Sequence, residues 1–138
     1  SALTEFDRCV KIAPNDLTSR RNYGGVLRQV GRTVEAIQQF EEALRVAPDD
    51  LLTIQNLADL YRIVGRNDLS LQMMQHWVAI APDDYNSHKN LSLMYRDVGQ
   101  VTEAITQARL AVDLSPEDQR PALEEYLQQL EFEQEAAP

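Results

Sequence analysis

Two kinds of side chain that can bind a peptide recur along the chain at a fixed interval. Three asparagines and three arginines lie 34 residues apart within each series: Asn22, Asn56 and Asn90, and Arg28, Arg62 and Arg96. An asparagine amide both donates and accepts, so it can pair with the C=O and N–H of a peptide bond without reading side chains. A guanidinium pairs bidentately with a carboxylate or a phosphate. The two series favour recognition of an extended peptide that carries an acidic side chain or a C-terminal carboxylate.

Residues suited to catalysis are few. The chain has two histidines, His76 and His88, and one cysteine, Cys9. No metal-ligand spacing, nucleotide-binding loop or nucleophile elbow accompanies them. We therefore predict that the chain is not an enzyme and that it holds no cofactor and no metal. The histidines and the cysteine are interpreted as packing or surface residues.

Composition excludes several other classes of protein. The 138 residues include 22 Asp+Glu against 13 Lys+Arg, which gives a formal net charge of -9. Nucleic-acid-binding domains normally show a basic surface, and no apolar stretch approaches the roughly 18–20 residues of a membrane span. The predicted partners are therefore proteins or peptides, with no nucleic acid and no membrane insertion. A single cysteine fits a reducing cytoplasm, which is the predicted location.

The interval of 34 residues extends to the residues that begin and end helices. It is shared by three further series: Pro14, Pro48, Pro82 and Pro116; Gly31, Gly65 and Gly99; and Asp16, Asp50, Asp84 and Asp118. Between these positions the apolar residues have the spacing of one helix face, for example Ile54, Leu57, Tyr61 and Val64. Glycine ends the first helix of a unit, proline ends the second, and aspartate caps the next. The sequence predicts an all-α fold of about eight helices, paired antiparallel and joined by short turns.

This pattern resembles the tetratricopeptide repeat (TPR) family. The second unit carries the residue classes of the family at Ile54, Leu57, Ala58, Tyr61, Ser70, Met74, Trp77 and Pro82. The resemblance implies an α-solenoid of antiparallel helix pairs, a TPR superhelix, in a single domain over residues 1–138. It divides the chain into the second helix of a partial repeat (1–16), three full repeats (17–50, 51–84 and 85–118) and a C-terminal capping helix (119–138). Three residues depart from the pattern: Arg20 and His88 occupy an apolar position, and Trp77 occupies a small one.

The resemblance also implies where a ligand binds. In the family, six positions on the first helix of each unit point into a concave groove, and here they hold five basic and two acidic residues, a local charge of about +3. The predicted peptide-binding residues come from this set: Arg21, Asn22, Arg28, Gln55, Asn56, Arg62, Asn86, Lys89, Asn90 and Arg96. Similar asparagine columns clamp a peptide backbone in TPR proteins such as the repeat domain of O-linked N-acetylglucosamine transferase. The chaperone-type carboxylate clamp of the family is matched at only two of its five positions, so a strict chaperone-tail receptor is not expected.

Alternative interpretations remain open for both series. Asparagine is the common family residue at its position, and the arginines could form salt bridges between repeats, with Asp59, Asp97 or the aspartates that follow the prolines. Three functions stay open as well. The chain binds an extended peptide along its concave groove, or it is an assembly element, or it is the regulatory repeat segment of a larger enzyme.

The two ends of the chain predict different surroundings. Leu123, Tyr126, Leu127 and Leu130 form an apolar stripe within the capping helix, which is expected to fray from Glu135 onward. Residues 117–138 hold seven acidic residues and one basic residue, so two thirds of the net charge lies there. The N-terminal helix lacks its first-helix partner. Its apolar residues, Leu3, Phe6 and Val10, are therefore expected to lack part of their cover, as in a fragment of a longer array or in a chain that self-associates through this edge.

Overall fold

A computed structural model describes residues 2–12 and 16–137, and these form eight α-helices without a strand. The helices are α1 (Ala2–Ile12), α2 (Leu17–Gln29), α3 (Thr33–Val46), α4 (Leu51–Ile63), α5 (Asn67–Ile80), α6 (Tyr85–Asp97), α7 (Val101–Leu114) and α8 (Arg120–Ala136). The predicted all-α class and the predicted helix pairs are confirmed. Pro14, the first proline of its series, lies outside the described residues.

The predicted glycine turns occur in all three full repeats. Gly31, Gly65 and Gly99 have φ angles of 82°, 80° and 83°, in the left-handed region that glycine enters at little cost. After the first of these turns, the N–H of Arg32 donates to the carbonyl of Leu27 at 2.9 Å, and the other two turns repeat this bond. The bond satisfies a carbonyl at the end of each first helix and turns the chain back along it.

Aspartate caps the first helix of each full repeat, as predicted. The carboxylates of Asp16, Asp50 and Asp84 accept from backbone N–H groups in the first turns of α2, α4 and α6. Asp118 was expected to act in the same way, and this is wrong. The N-cap of α8 is Gln119, whose side chain makes no capping bond, because the chain at this point no longer follows the repeat.

Small residues bring the two helices of a pair together. In the second repeat the hydroxyl of Ser70 donates to the carbonyl of Ala58 at 2.6 Å, and in the third the hydroxyl of Ser92 donates to the carbonyl of Ala104 at 2.7 Å. All four residues are buried. Serine therefore fills a small-residue position without leaving a buried hydroxyl unsatisfied.

The chain divides into two compact units, Ser1–Met73 (unit 1) and Met74–Pro138 (unit 2), with the boundary inside α5. Unit 1 has a core of seven buried residues: Leu27, Ala36, Ile37, Phe40, Leu57, Leu60 and Tyr61. Unit 2 has a core of four, against which Tyr95, Val101, Tyr126 and Leu127 pack: Ala104, Ile105, Ala108 and Leu130. Each unit thus buries its own apolar cluster.

Two polar residues at apolar repeat positions are satisfied by hydrogen bonds. Arg20 donates through Nη1 to Oε1 of Gln39 on α3 at 2.8 Å. His88 is 5% exposed, with Nδ1 at 2.7 Å from Oε1 of Gln107 and Nε2 at 2.7 Å from the carbonyl oxygen of Pro82. His88 is therefore a buried packing residue whose two ring nitrogens are both occupied.

The two ends differ in part from expectation. Val10 is only 7% exposed, and Leu3 packs against the core of unit 1. The expectation that they lack cover is wrong for Val10, since α1 packs directly against α2. At the other end α8 continues to Ala136, so Glu135 is helical rather than frayed. Leu123 and Leu130 are buried, as the capping helix requires.

Candidate peptide-binding site

The predicted residues of unit 1 meet on the adjoining surfaces of α2 and α4, here called the unit-1 face. Arg28 on α2 donates through Nη1 to Oδ1 of Asn56 on α4 at 2.9 Å and through Nη2 to Oδ2 of Asp59. Arg62 lies one turn along α4, with Nη2 at 3.6 Å from Oδ1 of Asp59. The structure therefore brings Arg28, Asn56 and Arg62 together around one carboxylate.

Arg21 belongs to the same face and is bound to the start of α4. Its Nη1 donates to Oδ1 of Asp50 at 3.1 Å, while the other carboxylate oxygen of Asp50 accepts from the N–H of Thr53. The side chains of Arg21 and Asp50 are 27% and 17% exposed. Arg21 therefore joins one repeat to the helix start of the next, and fewer of its N–H groups remain for a ligand.

Two asparagines of the series make the same hydrogen bond, each within its own helix. Asn56 donates through Nδ2 to the carbonyl of Leu52 at 2.8 Å, and Asn90 donates through Nδ2 to the carbonyl of Asn86 at 2.8 Å. Each amide is thus tied to the preceding turn of its own helix. Asn90 keeps one N–H and its carbonyl oxygen for another contact, whereas the carbonyl oxygen of Asn56 already accepts from Arg28 and has one lone pair left. Asn22, the first of the series, is exposed on α2. Two of the three amides in the series, those of Asn56 and Asn90, are therefore held by a bond within their own helix.

In unit 2 the corresponding surface is formed by α6 and the capping helix α8, here called the unit-2 face. Arg96 donates to Oε1 of Glu133, and its Cζ lies 5.9 Å from the ring centroid of Tyr126. The hydroxyl oxygen of Tyr126 is 3.0 Å from Oγ of Ser92, and burial raises the pKa of Tyr126. Lys89 is half-buried, with no ion pair among the described residues. Arg96 is the more firmly held of the two cations.

The arginines thus form the salt bridges that were their alternative interpretation. Arg28 and Arg62 share Asp59, a partner that the repeat numbering suggested. The partner of Arg96, Glu133, was missed because it lies in the non-repeating tail, where no equivalent position exists in the other units. Asp50 was among the aspartates suggested as salt-bridge partners of the arginine series, but it binds Arg21, which lies outside that series. The charge of about +3 is the sum of about +2 for the predicted positions of unit 1 and about +1 for those of unit 2. Asp50 lowers the first value to about +1, and Glu133 lowers the second to about 0.

The remaining predicted residues, Gln55 and Asn86, and the single cysteine lie outside the ion-pair clusters of the two faces. Gln55 is half-buried on α4, and Asn86 is exposed in the first turn of α6. Cys9 is exposed on α1. Within residues 2–12 and 16–137, no three or more His, Cys, Asp or Glu side chains are grouped so that they could hold a metal ion. In the same part of the chain, no helix is both long enough and apolar enough to cross a membrane.

Comparison with known proteins gives matches among solved structures. No family model matches the chain, and no curated protein matches it. MamA 41-end from Desulfovibrio magneticus RS-1 is similar over 99% of this chain and 86% of its own length, at 21% identity and a TM-score of 0.76. A crystal structure of MamA covers 97% of this chain and 87% of its own, at 14% identity and a TM-score of 0.78.

Identities this low show a shared fold. MamA is a TPR-like helical repeat protein, and the match extends over nearly the whole of this chain. The 34-residue period, the helix pairs and the three glycine turns are the sequence and structural features of the same architecture. The chain therefore has the tetratricopeptide repeat fold, an α-solenoid built from antiparallel helix pairs.

Proposed function

We propose that the chain is a protein-interaction module that binds an extended peptide along the first helices of its repeats. The observation that carries the proposal is that Asn56 and Asn90 make the same local contact, a bond from the side-chain amide to the carbonyl four residues earlier in the same helix. An extended peptide presents its own C=O and N–H groups at regular intervals, and an amide can pair with both. Asparagines repeated on successive first helices suit such a backbone.

Fixing the amides before the ligand arrives favours binding. A side chain that is ordered only on binding adds an entropic cost of about 0.5–1.5 kcal/mol. Asn56 is held on both sides, because its Nδ2 donates to Leu52 and its Oδ1 accepts from Arg28. Arg28 is itself held by Asp59. In the proposal, Arg28 therefore serves to position Asn56.

We attribute the preference for an acidic or C-terminal segment to the cations that can still bind a ligand carboxylate. Arg62 is 45% exposed, and its Nη2 lies as far as 3.6 Å from Oδ1 of Asp59. Because this ion pair is loose, a ligand carboxylate can compete for the guanidinium. Lys89 in unit 2 has no ion pair among the described residues. Attraction between exposed charges weakens with salt. We therefore propose that acidic side chains of the peptide add to affinity at low ionic strength, while the amides supply the part that is independent of salt.

Alanine substitution of the fixed amides tests the proposal. A peptide ligand is selected from a random phage-displayed library on the intact chain, synthesised, and titrated by fluorescence polarisation against the Asn56→Ala, Asn90→Ala double variant. A net hydrogen bond contributes about 0.5–1.5 kcal/mol, so we expect the dissociation constant to rise at least tenfold. Circular dichroism confirms that the variant remains folded.

The matched control removes two amides from second helices. Gln38 on α3 and Gln72 on α5 are exposed, and their double alanine variant is expected to bind like the native chain. Equal affinity of the asparagine variant and the native chain, with the fold intact, would rule out the first helices as the peptide-binding surface.

Self-association through the N-terminal edge is the competing prediction. The burial of Val10 and the packing of Leu3 on the core of unit 1 remove much of the apolar surface that motivated it. Light scattering over a concentration series tests it, and a dimer that dissociates when Phe6 is replaced by Ser would support it.

A further inference from the structure

A groove of about 490 Å³ lies beside the capping helix of unit 2. Its lining comes from one residue of α6 and five of α8: Arg96, Glu125, Gln128, Gln129, Phe132 and Glu133. The α8 residues are spaced three and four apart, so they lie on one side of the helix. This side differs from the buried stripe that contains Leu123 and Leu130.

Phe132 gives this groove an exposed apolar surface. Its side chain is 71% exposed, the largest value for any large apolar residue among those the structure describes. It stands between polar neighbours, Gln128, Gln129 and Glu133, in the lining of the groove. An aromatic side chain surrounded by polar neighbours can act as the anchor of an interaction surface when a partner covers it.

The walls of the groove are held in place by contacts within unit 2. On the α6 side, Arg96 is held by Glu133 and by the ring of Tyr126. On the other side, α8 is bound to α7, since Gln134 donates to Oγ1 of Thr102 at 3.0 Å. A groove formed before binding does not require ordering of its walls when a ligand enters.

The charge of the groove selects the chemistry of its occupant. Glu133 neutralises Arg96, the only cation in the described lining. Glu125 is exposed and forms no ion pair with the described residues. Residues 117–138, which include Glu125 and Glu133, carry a net charge of -6. An acidic ligand would be repelled here, whereas a cationic one would be attracted and could also lie over the phenyl face of Phe132.

We infer that this groove binds a short cationic segment of a partner protein, in which lysine or arginine alternates with an apolar side chain. The apolar side chain covers Phe132, and the cation pairs with Glu125. This surface does not depend on Asn56 or Asn90. The inference can therefore stand or fall independently of the amide-based peptide site, although Arg96 borders both.

Two synthetic peptides of opposite charge test the inference. The ¹⁵N-labelled intact chain is titrated at low salt with the capped pentapeptides Lys-Leu-Lys-Leu-Lys and Glu-Leu-Glu-Leu-Glu, and amide shifts are followed by NMR. The lysine peptide is expected to produce saturable shifts centred on Gln128, Gln129 and Phe132, and the glutamate peptide is expected to produce none there. Raising the salt concentration should weaken binding of the lysine peptide.

Variants of α8 locate the effect. Phe132→Ala should lower the affinity for the lysine peptide at least fivefold, and Glu125→Gln should lower it about threefold. Glu124→Gln is the matched control, because it removes the same charge from the adjacent exposed position outside the groove. It should leave affinity within the change expected from net charge alone. The Asn56→Ala, Asn90→Ala variant should bind the lysine peptide normally, which separates this inference from the proposed function.

Several results would overturn the inference. These are absence of saturable shifts on α8, equal binding of the glutamate peptide, or equal losses for Glu124→Gln and Glu125→Gln. Sedimentation velocity tests whether a second copy of the chain occupies the groove instead. If the native chain dimerises, Phe132→Ala abolishes the dimer and the lysine peptide does not bind, then a second copy and not a cationic segment covers this surface.

Discussion

Adjacent glycines on α2 have opposite surroundings. A Cβ built on Gly24 would lie 2.8 Å from Cε2 of Phe40, whereas a Cβ on Gly25 would meet nothing within 4 Å. Phe40 is 2% exposed and part of the core of unit 1, so its ring has little room to move. Glycine at position 24 is therefore required by packing, and glycine at position 25 is not.

Alanine substitutions at these two positions should change stability in opposite directions. Gly24→Ala should lower the free energy of unfolding by about 1–3 kcal/mol, the usual effect of overpacking a core. Gly25→Ala should raise it by about 0.5–1 kcal/mol, because alanine favours a helix interior over glycine. Urea denaturation of both variants measures the difference. Equal stability of the two would contradict the packing of α2 against Phe40.

Tyr61 makes the stability of unit 1 depend on alkaline pH. Burial, followed by the nearby Glu41 carboxylate, raises the pKa of Tyr61 to about 12, although the Arg66 guanidinium 5.7 Å from its ring opposes the shift. In the unfolded chain a tyrosine titrates near about 10. The stabilisation from the protonated phenol is therefore complete below pH 10 and is lost as the pH rises from 10 towards 12.

Tyr61→Phe should remove part of this dependence. Urea midpoints of the native chain are expected to fall between pH 10 and 12, and those of the variant to fall less. The variant keeps the ring but has no proton to lose. The difference between the two curves isolates Tyr61 from the other tyrosines. Parallel curves across this range would show that Tyr61 does not carry the effect.

Helix starts are capped alike in the three full repeats, yet the caps are not equivalent. Asp50 caps α4 and also binds Arg21 of the preceding repeat, whereas Asp84 caps α6 with its side chain accepting from the N–H of Asn86. Arg21 has a buried Nε without a hydrogen-bond partner among the described residues. The guanidinium of Arg21 thus depends on Asp50, 29 residues along the chain, for its ion pair.

Replacing the two caps should separate capping from ion pairing. Asp84→Ala should cost about 1 kcal/mol, the usual effect of losing an N-cap. Asp50→Ala should cost about 1 kcal/mol more, because it also leaves the partly buried Arg21 without its carboxylate. Chemical denaturation measures both losses. The Asp50→Asn variant, which can still cap, should recover about half of the loss, and equal losses for Asp50→Ala and Asp84→Ala would show that the ion pair contributes nothing.

The elements could be predicted from the sequence because each boundary is set by a residue with a local effect. Gly65 and Asp84 act through their own backbone and side chain, so their consequences are visible in sequence. The partners of Arg96 and the cover of Val10 depend on how helices pack, which local pattern does not contain. Repeat numbering pointed to Asp59 because it occupies a groove position within a full repeat, but it could not point to Glu133. The ion pairs of the candidate site were therefore predictable only where both partners lie within the repeats, and the peptide-binding role of its residues stays a prediction.

At the scale of the molecule, each unit has its own apolar cluster. Leu130 of the capping helix is fully buried in the cluster of unit 2. In repeat proteins, stability is approximately a sum of local terms and contacts between neighbours, so a local defect need not spread evenly. The capping helix should accordingly protect unit 2 more than unit 1.

Leu130→Ala should therefore lower protection from hydrogen exchange unevenly. A fully buried leucine replaced by alanine costs about 2–5 kcal/mol, and the loss is expected in the amides of α6, α7 and α8. Amides of α2 and α3 should keep most of their protection. Leu110→Ala, at a position 40% exposed on α7, is the control and should change little. A uniform loss along the chain would show that the two units unfold as one.

The placement of two residues that occur once each has a practical consequence. Cys9 is the single cysteine and is exposed on α1 in unit 1, while Trp77 is the single tryptophan and is 8% exposed on the part of α5 in unit 2. A thiol-reactive dye on Cys9 would accept energy from Trp77 without any engineered residue. The native sequence thus contains a donor and one attachment point for an acceptor on separate units, and fluorescence energy transfer between them would report any relative motion that ligands induce.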